Sequence, residues 1–161
     1  MEGQAQIENI ASIGAVKDKV LMDSWTARYS AQNPTAMKGW IDGGNMLKKI
    51  LSFPGADGIW IFKGVDAKGQ QKIVFMPADA KGKVLAGGGS DQLMPCPPYC
   101  GRIDNVATIG APIDATVADQ WIEAYQNQNH GKVYAHLLGK KIFETILSQK
   151  EVQGHPFRVR P

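Results

Sequence analysis

Apolar residues recur at helical spacing in two stretches of the chain that lie 96 positions apart. Leu21, Trp25 and Tyr29 follow one another at intervals of four residues, after Asp18, a residue type that often caps the start of a helix. Asparagine and proline end the pattern, so the sequence predicts a helix over about residues 18–31 with one apolar face. The second stretch repeats this arrangement with Val117, Trp121 and Tyr125 after Asp114.

A different pattern follows in the first half of the chain. Apolar pairs at helical spacing predict a second helix over about residues 44–53, which a Pro-Gly pair ends. The sequence then alternates with a period of two in G-I-W-I-F-K-G and Q-K-I-V-F-M-P-A-D, which a D-A-K-G turn separates, and this predicts a hairpin over residues 58–79. Glycine, proline and serine are frequent in residues 86–102, so we expect an irregular linker there.

The two stretches belong to a longer internal match. With an offset of 96, residues 7–63 and 103–159 share 17 identical residues without a gap. We interpret this as a tandem duplication with a first copy (7–85) and a second copy (103–161). We expect a single pseudo-symmetric domain over residues 1–161, of class α+β. In this domain, two helix–helix–strand units pack around one shared core, and the apolar faces of their helices cover one face of a small antiparallel sheet.

The second copy reaches only one strand of the hairpin, over about residues 155–159. The backbone N–H and C=O groups of this strand need hydrogen-bond partners. We expect it to pair with the hairpin of the first copy, because Pro156 removes one donor and Arg158 and Arg160 discourage pairing at an open edge. Pairing with a neighbouring molecule, which gives a dimer or a filament, is the other interpretation.

Composition and charge narrow the class of protein. The 161 residues are 43% hydrophobic and 20% charged, as is typical of a globular domain. The formal net charge is +3, and the lysines and arginines are scattered rather than gathered in a stripe, so we expect no nucleic-acid partner. The N-terminal residues lack the pattern of a secretory signal, and no apolar run approaches the roughly 18 residues of a membrane span. These features predict a cytoplasmic protein without membrane association.

Both cysteines lie in the segment C-P-P-Y-C, as Cys96 and Cys100. We favour a structural turn or a knuckle that contacts a partner, because two prolines after the first cysteine disfavour the helix that activates a redox thiol. A disulfide or a thiol redox pair is a second interpretation. Zinc, the one cofactor that the sequence suggests, is a third. It needs two further ligands, from His130, His136 or His155 or from a second chain.

Asp23 and Asp119 occupy the same position in the two copies, two residues before each tryptophan. This spacing places each carboxylate away from the apolar face of its helix and toward solvent. A role in structure or solubility and a role in binding a partner both remain open. Together with Arg158 and Arg160, these residues are the candidates for a partner surface.

The sequence contains no nucleotide-binding glycine motif, no H-E-x-x-H zinc motif and no G-x-S-x-G nucleophile motif. We therefore predict a non-catalytic binding or assembly module, whose partner is another protein or a second copy of the same chain. A thiol redox or zinc site at the cysteine pair is the first alternative function. A small-molecule enzyme is the second.

The stretch P-G-A-D-G-I-W-I-F-K-G-V-D-A-K-G-Q-Q-K-I-V-F-M-P-A-D-A-K-G-K-V-L, followed by C-P-P-Y-C-G, resembles a family of short, uncharacterised bacterial proteins. The family pattern is a helix ended by Pro-Gly, a G-I-x-I-x strand, two D-x-x-G turns and a proline-flanked cysteine pair. A-H-L-L-G in the second copy is similar to the A-H-F-F-G segment of the family. The resemblance covers about residues 43–101, and Ala56 and Trp60 depart from it where the family has Cys and Arg. It implies a hairpin and a bacterial source, and it carries no known activity or catalytic residue.

Overall fold

The computed structural model describes residues 9–91, 93–96, 106–149 and 154–155, which form an α+β fold as the sequence predicts. This part of the chain contains four α-helices: α1 (Lys19–Gln32), α2 (Gly44–Leu51), α3 (Ala115–Gln128) and α4 (Lys140–Leu147). Short 3-10 helices lie at Ile10–Ser12 and Val106–Thr108. The strands are β1 (Gly39–Gly43), β2 (Gly58–Val65), β3 (Gln71–Ala78), β4 (Ser90–Asp91), β5 (Met94–Cys96), β6 (Ala111–Pro112), β7 (Ala135–Gly139) and β8 (Gly154–His155).

The strands form two antiparallel sheets. The larger sheet has the order β6-β4-β3-β2-β7, and the smaller has the order β5-β1-β8. The predicted hairpin is the β2–β3 pair, in which Gly58 lies opposite Ala78. Asp66 shapes its turn, because the side chain accepts hydrogen bonds from the backbone N–H groups of Lys68 and Gln70.

The predicted helix–helix–strand unit is wrong in one respect, because a strand lies between its two helices. β1 and β7 end in Gly43 and Gly139, and α2 and α4 begin at the next residue. Each of these strands has only five residues and leads directly into a helix, so neither gives a readable alternation. The unit is therefore helix–strand–helix–strand. Two short strands, β4 and β5, also lie within residues 86–102, which we expected to be irregular.

The larger sheet is covered on both of its faces, so the expectation that the helices cover one face was wrong: α2 and α4 lie on one face, and α3 lies on the other. Side chains alternate along β3, so that Ile73 and Phe75 join a cluster with α2 and α4, whereas Val74 and Met76 join a cluster with α3. The first cluster also contains Met46, Leu47, Ile50, Leu51, Ile59, Leu93 and Phe143, and the second also contains Ile113 and Ala118. Residues of both copies contribute to each cluster, and the core is thus shared between them.

The two copies also interlock through matching hydrogen bonds. The backbone N–H of Gly139 donates to the carbonyl of Ile13 at 2.9 Å, and the N–H of Gly43 donates to the carbonyl of Ile109 at 2.9 Å. The offset of 96 converts one pair into the other. Each copy therefore places its leading segment on the strand–helix corner of the other copy.

Strand pairing follows the same reciprocal arrangement. Gly58 of β2 lies opposite Gly139 of β7, and Gly154 of β8 lies opposite Gly43 of β1. The strand expected near the C-terminus thus pairs within the chain over the described residues 154–155. Its partner is β1 and not the hairpin, so the prediction was wrong about the partner strand, because β7 already occupies that edge of the hairpin. Residues 156–161 lie outside the described part of the chain.

Candidate functional site

α3 packs closely on one face of the β2–β3 hairpin. Ala118 of this helix is fully buried, and Tyr125 is only 9% exposed. Gly64 of β2 makes the close approach possible, because a side chain at this position would bring its Cβ to 3.0 Å from the Cβ of Trp121. Apolar side chains outside the helix complete the surface on which α3 packs, which we call the α3 seat: Phe62, Val74, Met76 and Val84.

Two lysines of the hairpin lie over the aromatic rings of α3. The Nζ atom of Lys72 is 5.6 Å from the centroid of the Trp121 ring, and the Nζ atom of Lys63 is 5.9 Å from that of Tyr125. A cation at this distance is attracted by the negative face of the ring. The hairpin therefore offers α3 a glycine at the closest approach, an apolar patch and two cations.

α1 carries the same aromatic pair but has no such seat. None of its residues is buried, and it makes no extensive contact with another described element. Trp25 is 51% exposed and Tyr29 is 46% exposed, and Leu21 and Met22 beside them are 40% and 43% exposed. We call these four residues the α1 stripe. The prediction that this helix covers the sheet with its apolar face is therefore wrong, whereas α3 does cover the sheet.

The difference between the two helices has a physical reason in their neighbours. α3 already occupies the face of the hairpin that lies opposite α2 and α4, so this face is closed to α1. In addition, Met22 of α1 aligns with the fully buried Ala118, and Thr26 aligns with Ile122. α1 therefore has a long side chain where α3 has a methyl group, and a polar residue where α3 has an apolar one.

Local hydrogen bonds hold the C-terminal end of α1. The side-chain amide of Asn33 donates to the carbonyl of Tyr29 at 3.1 Å. The ammonium group of Lys38 donates to the carbonyls of Asn33 at 2.5 Å and Ala36 at 2.9 Å. These bonds satisfy backbone carbonyls at the helix end and in the following turn, so the α1 stripe is presented on a formed helix.

A second feature, which sequence reasoning missed, is the buried carboxyl group of Asp42 in β1. It accepts hydrogen bonds from the Ser90 hydroxyl at 3.1 Å and from the backbone N–H of Gly43 at 2.9 Å, and the residue has no exposed surface. Burial is the main cause that raises the pKa of Asp42 from 3.8 to about 7, against the two hydrogen bonds, which lower it. The charge of Asp91 makes a smaller upward contribution. Asp42 therefore exchanges its proton near neutral pH.

Gly110, which belongs to the second copy, packs against the side chain of Asp42. Its φ is +105°, and a side chain at this position would overlap Oδ1 of Asp42. In the other half of the molecule, Gly14 lies in the same way against Leu138, the residue that aligns with Asp42. Asp42 of the first copy therefore stands where the second copy has leucine. This difference is the signal in the sequence from which the buried carboxyl group could have been predicted.

The residues that we predicted as candidates lie on separate elements. Asp23 and Asp119 are exposed on α1 and α3, as expected, and Asp23 pairs with Lys19 at 2.5 Å. The backbone of Cys96 lies in β5 opposite Gly39. The side chain of Cys96 falls outside the described part of the chain, as do Cys100, Arg158 and Arg160.

The histidines that we named as further zinc ligands lie on separate elements, and the side chain of His155 falls outside the described part of the chain. His130 follows α3, and His136 is exposed on β7. Among the described residues, no group of three His, Cys, Asp or Glu side chains is placed to hold a metal ion.

A cavity of about 310 Å³ lies beside the start of β3. This volume is at the lower limit of pockets that bind small molecules. Its walls are formed by Met37, Trp40, Gln70, Gln71, Lys72, Ile73 and Leu93. Lys72 is the one titratable group among these lining residues, so the cavity offers no acid–base pair for a reaction.

Comparison of the chain with protein-family models, with curated proteins and with solved structures finds no match. Among the described residues, no helix has the length and apolar character needed to cross a membrane. The proposals below therefore depend on the geometry of this chain alone.

Proposed function

We propose that the chain is a non-catalytic binding module and that the α1 stripe is its docking surface for a protein partner. The observation that carries this proposal is the contrast between two aligned helices. α3 buries its aromatic face against the hairpin, whereas α1 presents the same aromatic pair about half exposed. Exposed apolar surface of this kind is stabilised when a partner covers it.

The size and composition of the stripe support a docking role. Four side chains that are 40–51% exposed present roughly 400 Å² of mainly apolar surface, which is on the scale of the largest patch on a typical monomer. Tryptophan, tyrosine and methionine are enriched at the centres of protein interfaces. Charged residues flank the stripe, as polar residues do around the apolar centre of an interface: Asp18, Lys19 and Arg28.

The surroundings of the Asp42 carboxyl group favour a structural role for this residue over a catalytic one. A general base must reach the proton that it abstracts. Asp42 has no exposed surface, and Ser90 and Gly43 occupy its oxygens with hydrogen bonds. We therefore assign this group to the junction of the two copies and place the binding function on α1.

Site-specific photo-crosslinking tests the proposal. A photoreactive phenylalanine analogue is placed at position 25, and the full chain is irradiated in cells of its source. We expect a discrete crosslinked product, because the stripe is the surface that a partner covers. A product at twice the 17.5 kDa mass of the chain identifies the partner as a second copy.

The matched control carries the same analogue at Val133, an apolar residue that is 60% exposed and lies before β7. This position should give no discrete product. The same products from positions 25 and 133, or none from position 25, would contradict the proposed docking surface.

A further inference from the structure

We infer that the partner presents a two-stranded antiparallel β-hairpin to the α1 stripe, in the way that β2–β3 receives α3. This inference rests on the proposed function, since it names the kind of surface that covers the stripe. It follows from the packing of α3 on β2–β3, where the same helical pattern is already covered within the described part of the chain.

The footprint of α3 shows how this pattern meets a hairpin. The Trp121 backbone and Cβ lie directly on Gly64, and the rings of Trp121 and Tyr125 lie under lysine side chains of the two strands. α1 has Trp25 and Tyr29 at the positions of these two rings. A hairpin with a glycine at the closest approach and cations over the rings is therefore complementary to α1 in both shape and charge.

The length and the composition of the stripe favour a hairpin over a second copy of α1. A helix of 14 residues is about 21 Å long, and an eight-residue strand such as β2 is about 26 Å long, so one hairpin spans the helix. The α1 stripe of a second copy contains no cation, so two stripes packed against each other would leave the rings of Trp25 and Tyr29 without the lysines that lie over the rings of α3.

Met22 sets a further requirement on the partner. Its counterpart, Ala118, is fully buried against Val74 and Met76 of the hairpin. The longer side chain of Met22 needs space at that point, so the partner hairpin carries a smaller residue there. Replacing Met22 with alanine should make α1 a closer match to α3 and a better receptor for a hairpin with the sequence of β2–β3.

The test uses the full chain and a backbone-cyclised peptide with the sequence of residues 58–78, whose strand content is first verified by circular dichroism. Binding is measured by fluorescence anisotropy of the labelled peptide. We expect saturable binding that is at least about tenfold weaker for Trp25→Ser and several-fold tighter for Met22→Ala. A peptide with Gly64→Val should bind at least about tenfold more weakly, whereas Val133→Ser in the chain should change nothing.

The outcomes separate this inference from the proposed function. A peptide that binds neither the wild type nor Met22→Ala, or that binds equally to the wild type and to Trp25→Ser, overturns the hairpin inference. If crosslinks from position 25 persist in that case, the docking surface stands and its partner has another shape. Sedimentation velocity tests the remaining alternative, which is a second copy of the chain on the α1 stripe. Self-association that depends on Trp25, without peptide binding, would identify a second copy as the occupant and overturn the hairpin inference.

Discussion

α1 and α3 contain the same aromatic pair at the same spacing, yet they differ in their surroundings. No residue of α1 is buried, whereas α3 packs against the β2–β3 hairpin. Trp121 rests on Gly64 of β2, and Tyr125 is nearly buried. Trp25 and Tyr29, at the aligned positions, are about half exposed. The two helices even end alike, since Asn33 and Asn129 each donate a side-chain hydrogen bond to the carbonyl of the preceding tyrosine.

The difference teaches that a repeated pattern determines the helix and its apolar face, whereas the neighbouring elements determine whether that face is covered. The same lesson holds in the strands that precede α2 and α4. Leu138 of β7 packs against the apolar core, whereas the aligned Asp42 of β1 is held by Ser90. One half of the molecule has an apolar contact where the other half has a group that titrates.

The largest expected effect concerns Asp42. Its pKa in the folded protein, about 7, lies above its ordinary value of 3.8, so between these values the folded state binds more protons than the unfolded state. The contribution of Asp42 to the free energy of unfolding is therefore fully present below about pH 4 and is lost as the pH rises through 7, a change of about 4 kcal/mol. Asp42→Asn should remove this pH dependence in urea unfolding measured from pH 4 to pH 8.

Asp119→Asn is the matched control for this measurement, because Asp119 is exposed on α3. It should keep the pH dependence of the wild type. Parallel curves of unfolding free energy against pH for the wild type and Asp42→Asn would show that Asp42 is not the group responsible. Asp42→Leu, which gives the first copy the residue of the second, should likewise remove the dependence.

The next effect compares the two tryptophans directly. Trp121→Ser should lower the free energy of unfolding by about 3 kcal/mol, because it removes a partly buried ring that packs on the α3 seat. Trp25→Ser should change it by less than about 0.5 kcal/mol, since the ring is exposed. Chemical denaturation of both variants provides the measurement. Equal losses would mean that α1 is covered in the isolated chain.

A smaller effect is expected at the closest approach of helix and sheet. Gly64→Ala places a Cβ at 3.0 Å from the Cβ of Trp121, so α3 must move away from β2 at a cost of about 2 kcal/mol. Lys68→Ala, in the exposed turn of the same hairpin, should have almost no effect. Thermal unfolding of the two variants tests this, and an unchanged midpoint for Gly64→Ala would contradict the tight seat.

The smallest effect concerns the cation over Trp121. Lys72→Gln should lower the free energy of unfolding by about 0.5 kcal/mol, because it removes a cation–π contact at a partly exposed site. Lys72 also lies 3.9 Å from Asp66, so a double-mutant cycle with Trp121→Phe is needed to isolate the contact with the ring. A coupling energy of zero in this cycle would show that the contact between Lys72 and the Trp121 ring does not stabilise the packing of α3 on the hairpin.

Sequence reasoning predicted the elements whose periodicity is long and regular. The spacing of Leu21, Trp25 and Tyr29 predicted α1 to within one residue at each end, and the alternation on both sides of D-A-K-G predicted the hairpin. It missed β1 and β7, because five residues that lead directly into a helix show no period of their own. The local pattern could not predict the exposure of the α1 stripe or the raised pKa of Asp42. Both depend on how distant segments of the chain pack.

The reciprocal placement of the leading segments has a consequence for synthesis on the ribosome. The corner between β1 and α2 is completed by Ile109 and Gly110, and the segment around Ile13 has its receiving corner at Gly139. The corner at Gly43 must therefore wait for the 66 residues up to Ile109, which at typical elongation rates of about 5 to 20 residues per second takes roughly 3 to 13 seconds, and the leading segment must wait longer still for Gly139. During that interval the nascent first copy exposes apolar surface that residues of the second copy will cover.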